Sequence, residues 1–134
     1  MLTVVVDTNV ILRYLLNDHP DWSIRAGVFW AKVSQGQQYA YLLEGVLVEC
    51  VYVLLKVYHV PRTELANRLL NFLEMPGLKA SSLPVLRDSL KLFRDHNVDV
   101  VDALLIATAQ TNSWTVESFD HDLARLSQHE SSSR

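Results

Sequence analysis

Four acidic residues stand where solubility alone does not explain an acid. Asp7 closes the run Leu2-Thr3-Val4-Val5-Val6, Glu49 lies within Val46-Leu47-Val48-Glu49-Cys50-Val51, Asp102 opens Asp102-Ala103-Leu104-Leu105-Ile106-Ala107, and Asp120 ends Ser118-Phe119-Asp120. A carboxylate set among apolar residues needs a cation or hydrogen-bond donors. If the four converge, they form an oxygen-rich site. Carboxylates together with an amide oxygen are hard ligands, suited to Mg²⁺ or Mn²⁺ and poorly suited to a thiolate-preferring metal. Like charges packed closely raise one another's pKa until a divalent cation or protons relieve them. Phosphodiester hydrolysis is the chemistry that fits such a centre, with a metal-activated water as nucleophile.

Taken singly, most of these acids have a plainer reading. Asp7 fits an N-cap and Asn9 a turn residue; Asp99 and Asp102 fit a cap and its N3 acid; Asp120 fits a cap with Asp122 in the first turn behind it. Glu49 is different, because its helix is built from valine, leucine, cysteine and tyrosine. Its best alternative partner, Lys56, is seven residues on, roughly 10 Å along the axis at about 1.5 Å per residue. A cation is therefore the better expectation for Glu49 than a direct pair with Lys56.

The elements that must position these groups follow from periodicity and punctuation. Leu2 to Val6 reads as a short, β-branched, buried strand. Asp7-Thr8-Asn9 then caps a helix carrying Val10, Ile11, Tyr14 and Leu15. Asp18-His19-Pro20-Asp21 predicts a second helix to about Val33, with Asp18 as cap and Pro20 in its first turn. Tyr39 to Leu43 reads as a second strand, and Gly45 to Tyr58 as a helix apolar enough to be buried all round, in part against another subunit. A helix from Pro61 to Glu74 stops at Met75-Pro76-Gly77, and Leu78 to Ser81 is a possible short strand. Further helices are predicted over Leu83–Asp95 and Asp99–Asn112, then a strand over Trp114–Ser118 and a short helix from about His121 to Leu126. The stretch 127–134 is polar and is expected to fray. Strands separated by helices imply a parallel sheet, whose ligands collect beyond the carboxyl ends of the strands. Asp7 and Asp120 stand at such ends.

The 134 residues, 49% hydrophobic and 20% charged, have the size and balance of one compact domain. The lone cysteine, Cys50, can form no intrachain disulfide, and the N-terminus has no basic segment before its short apolar run. Cytoplasm is the expected compartment. Glu44 and Glu49 interrupt the longest apolar run, which argues against a membrane span. A formal net charge of −3 neither favours nor excludes a nucleic-acid groove. Arg13, Arg25, Lys32 and Lys56 are candidates for phosphate contacts. Trp22, Trp30 and Trp114 read as packing residues, and His19, His59, His96, His121 and His129 lack zinc spacing. There is no Gly-x-Ser-x-Gly and no phosphate-cradling glycine loop. An aspartyl-phosphate mechanism at Asp7 would want a second acid where Asn9 stands.

The ordered set Asp7-Thr8-Asn9, Glu49, Asp102 and Ser118-Phe119-Asp120 resembles the PIN-domain ribonucleases, and most of all the small VapC-type toxins of toxin–antitoxin pairs. The resemblance covers about residues 2 to 126. It implies an α/β fold, a three-layer α/β/α sandwich around a mostly parallel sheet. It also implies a Mg²⁺-dependent or Mn²⁺-dependent endoribonuclease whose acids fall on Asp7, Glu49, Asp102 and Asp120, supported by Asn9, Ser118 and Asp122. Asp7 and Asp102 are the first choices as direct metal ligands. The implied partners are RNA, a cognate antitoxin and a second copy of the chain as homodimer, with no membrane. Two departures stand out: Glu117 occupies a strand position that is usually apolar, and the polar end offers no last apolar strand. A catalytically silent PIN-like module that binds protein is the alternative, with the Gly45–Tyr58 helix or Trp22, Phe29 and Trp30 as its seam.

Overall fold

Residues 1–132 are described by a computed structural model. The contacts fall into two compact units, Met1–Leu83 and Pro84–Arg134.

In the first unit the order is β1 (Thr3–Val5), α1 (Thr8–Leu16), α2 (Trp22–Ser34), β2 (Tyr39–Tyr41), α3 (Glu44–Tyr52), a π-helical turn (Val53–Val57), α4 (Arg62–Phe72) and β3 (Leu78–Lys79). The sheet order is β1-β2-β3 and both pairings are parallel, with Thr3 opposite Tyr39 and Ala40 opposite both Val4 and Leu78. Parallel neighbours need crossovers, and α1–α2 and α3–α4 supply them. Trp30 is the centre of the packing: it is fully buried, its indole N–H donates to the Val10 carbonyl at 2.9 Å, and its ring meets Phe72 edge-on at 4.7 Å. One bond and one ring contact thus tie α2 to α1 and α4.

Three expectations are corrected in this unit. The first strand is not buried: among the described residues it pairs with β2 alone, and Val5 is 64% exposed. The Gly45–Tyr58 stretch is not buried all round. Only Leu47, Cys50, Val51 and Leu54 are inside, the i, i+3, i+4, i+7 stripe of an ordinary amphipathic helix. Finally, α2 begins at Trp22 and Asp18 does not cap it, because Arg13 takes the Asp18 carboxylate at 2.8 Å. His19 closes the helix start instead. Its Nδ1 accepts from the Trp22 N–H and its own N–H donates to Ser23 Oγ, both at 3.0 Å, a reciprocal arrangement of the capping-box kind.

Gly77 sits where a side chain could not. Its N–H donates to the Val33 carbonyl and its carbonyl accepts from Ala40, so the backbone passes tightly between the end of α2 and the start of β2. A Cβ there would strike the Gln38 carbonyl oxygen and lie 2.8 Å from the Val33 carbonyl oxygen.

The second unit contains α5 (Leu83–Asp95), α6 (Val100–Asn112) and α7 (His121–Ser132), with α6 and α7 in contact. Along α5 the buried Leu86, Leu90 and Phe93 follow the predicted spacing. The predicted strand over Trp114–Ser118 is absent: α6 ends on Ser113 in the left-handed region (φ 58°), and the following backbone joins no ladder. Trp114 is 65% exposed there, so β-favouring residue types without a partner strand leave the segment irregular. The last helix runs past Leu126 to Ser132, through most of the stretch expected to fray, and residues 133–134 lie outside the described residues.

Candidate active site

In the first unit Asp7 stands two residues beyond the end of β1 and caps α1. Extended backbone (φ −93°, ψ 171°) aims its Oδ1 at the Val10 N–H, 3.1 Å away. One bond from Oδ1 leaves Oδ2 free, so the cap fixes the carboxylate without consuming it. Asp7 and Asn9 are exposed and line an open cavity of about 590 Å³, floored by Val4 to Val6 and walled by Arg13, Trp22, Arg25 and Phe29. Arg13 is not a loose cation. Its guanidinium donates to the Tyr58 hydroxyl at 3.0 Å and pairs with Asp18, and these contacts, Tyr58 foremost, raise its pKa.

Glu49 is exposed on α3, which corrects the argument that set it apart: water can solvate its carboxylate, so no cation is required by burial. Its neighbour Cys50 is the buried group. Burial first, and the charge of Glu49 second, push the Cys50 thiol up to about 12, so it is no nucleophile at neutral pH. Lys56, a candidate phosphate contact, is exposed as well.

In the second unit Asp99 caps α6 by accepting from the Val100 N–H at 2.9 Å, and Asp102 follows in the first turn, half-buried. Burial, then the charges of Asp99 and Asp120, hold the Asp102 carboxyl above the usual range. No cation faces Asp102 among the described residues. Asp120 caps α7, its Oδ1 accepting from Asp122 N–H at 2.9 Å and Leu123 N–H at 3.2 Å, while its own N–H donates to Ser118 Oγ at 3.0 Å. Ser118 therefore sets the turn that presents Asp120. Asp122 is turned outward to Arg125 at 2.7 Å, a solvent-exposed pair. Glu117 is exposed.

The second unit thus brings Asp99, Asp102 and Asp120 within electrostatic reach of one another, and the first presents Asp7 beside Asn9, with Glu49 on a separate helix. Among the described residues, no three His, Cys, Asp or Glu side chains are arranged to hold a metal ion by themselves. A PIN-domain family model matches residues 4–128, almost the whole chain. The chain belongs to the PIN-domain family. PIN domains are generally nucleases and typically use divalent metals, and the parallel sheet with its crossover helices is the α/β sandwich class of that family. No curated protein sequence matches the chain. No described helix is long and apolar enough to cross a membrane.

The donor chemistry of this PIN domain fits a hard divalent ion: oxygens only, with one half-buried carboxylate facing two like charges. Mg²⁺ needs no all-protein cage, since it ordinarily takes one or two carboxylates and completes its shell with water and phosphate oxygens. Sequence reasoning misplaced one residue at the first-unit cavity. Trp22, read as packing, is 55% exposed on its wall, whereas Trp30 is indeed interior.

Proposed function

We propose that this PIN domain hydrolyses RNA phosphodiester bonds in a Mg²⁺-dependent or Mn²⁺-dependent reaction, with Asp7, Glu49, Asp102 and Asp120 as its carboxylates. We propose further that it is the toxin of a toxin–antitoxin pair. The observation that carries the reading is Asp102, a carboxylate raised by burial first and then by the charges of Asp99 and Asp120, and matched by no cation among the described residues. Such a group gains from a positive partner, which would relieve the burial and the like charges at once.

Each acid has a role its surroundings permit. Asp7 and Asp120 are held by backbone N–H groups through Oδ1, so their Oδ2 atoms are available in fixed directions. Asp102, half-buried with Asp99 and Asp120 nearby and no cation of the chain beside it, is with Asp7 the first choice to hold the ion directly. Glu49, exposed on α3, serves to orient water or to add negative charge beside a cation. A divalent ion, when bound, neutralises phosphate charge and acidifies water. RNA as the substrate, the cognate antitoxin and the homodimer rest on the family resemblance. Val101 and Leu105, one turn apart and both exposed on α6, offer apolar surface of the kind a protein partner covers.

The test is incubation of the chain with labelled single-stranded RNA and with DNA of the same sequence, in Mg²⁺, in Mn²⁺ and in EDTA. Cleavage of RNA in either metal and none in EDTA is the expected result. Cleavage indifferent to EDTA, or none in any condition, overturns the proposal.

A further inference from the structure

Helix α2 carries two stripes. Ser23, Ala26, Trp30 and Val33 face the interior at i, i+3, i+7 and i+10. The next face repeats that spacing with Trp22, Arg25, Phe29 and Lys32, so aromatic and basic side chains alternate over about 15 Å of helix at about 1.5 Å per residue. Trp22, Arg25 and Phe29 line the cavity that holds Asp7, and Arg25, Phe29 and Lys32 line a second, adjoining one of about 340 Å³. The stripe therefore runs along two hollows of the first unit that share Arg25 and Phe29, the first of them lined by Asp7.

Three of the four side chains, Trp22, Arg25 and Lys32, are exposed, and Phe29 is half-buried. Arg25 and Lys32 are exposed and have no ion pair among the described residues. Trp22 is more than half exposed, yet its indole is steadied by the His19 ring stacked at 5.0 Å, the same His19 whose Nδ1 holds the Trp22 N–H. Phe29 is fixed edge-on against Trp30 at 4.9 Å. Rigid rings alternating with free cations match a strand that alternates flat bases with phosphates, as single-strand binding surfaces do.

We propose that the stripe Trp22-Arg25-Phe29-Lys32 is a single-stranded RNA track that positions the strand beside Asp7, Trp22 and Phe29 stacking bases while Arg25 and Lys32 hold phosphates. The identity of the ligand as RNA rests on the ribonuclease reading above, and these are positioning residues.

The test is fluorescence anisotropy of a labelled oligouridylate with the full chain in EDTA, where binding is read without cleavage. Trp22→Ala is expected to weaken binding about 5- to 150-fold, the span of losing one stacked base, and Trp22→Phe to restore most of it. Arg25→Gln and Lys32→Gln should each lower the slope of log affinity against log salt by about 0.7, the value for one phosphate contact on a single strand. Wild-type affinity in Trp22→Ala with unchanged slopes in the cation variants overturns the track, including the case in which those variants lose binding to a protein partner instead. A chain that binds through the stripe but cuts nothing keeps the track and sinks the nuclease. One that cuts RNA with unchanged KM in all three variants does the reverse.

Discussion

Asp7 can be replaced in two ways that separate holding a helix from doing chemistry. Its Oδ1 accepts from the Val10 N–H at 3.1 Å, a cap bond that asparagine makes about as well and alanine not at all. Losing an N-cap costs about 1 kcal/mol, which in a chain of this size lowers Tm by roughly 3–5 °C. Asp7→Ala should show that drop by calorimetry, and Asp7→Asn should stay within about 1 °C of the wild type. On labelled RNA in Mg²⁺ the two should behave alike, each slower by about 10²–10⁴-fold, because both remove the charge at Oδ2. If Asp7→Asn cuts at the wild-type rate while Asp7→Ala loses only stability, then Asp7 is a cap and nothing more.

At Asp102 the native carboxyl titrates above its unfolded value, so the native state binds more protons there and stability falls as pH rises through that window, just above the usual aspartate range. Asp102→Asn should raise Tm at pH 7 and flatten the fall; identical pH profiles would remove the basis for treating Asp102 as strained. Gly77→Ala forces a Cβ onto the Gln38 carbonyl oxygen, and a loss of several kcal/mol or failure to fold is expected, read by circular dichroism against Gly45→Ala, where a Cβ meets nothing within 4 Å. Trp30→Phe removes the indole bond to the Val10 carbonyl and leaves a gap beside Phe72, at a cost on the order of 2 kcal/mol in urea unfolding; under about 0.5 kcal/mol would contradict its central place.

Local signals were read more securely than distant ones. The caps at Asp7, Asp99 and Asp120 were legible because a cap is decided within three residues, and the parallel sheet because strands and helices alternate. What failed was decided elsewhere in the chain. Asp18 has the capping propensity expected of it, but Arg13 draws it away and leaves the place to His19. Trp114–Ser118 has strand-forming residues, but a ladder needs a partner that no local pattern supplies. The apolar composition around Glu49 does not amount to complete burial, because Leu47, Cys50, Val51 and Leu54 are enough to seat the helix and leave the glutamate in water. Its standing among the four acids now depends on the family rather than on its setting.

The central claim is metal-dependent hydrolysis through these carboxylates, and its most direct test is the initial rate of RNA cleavage against Mg²⁺ concentration for the wild type and Asp102→Asn. The account predicts a saturable dependence on Mg²⁺ in the wild type and a rate lower by at least about 100-fold in the variant at every concentration. Equal rates for the two proteins, or cleavage that does not respond to Mg²⁺, would contradict it.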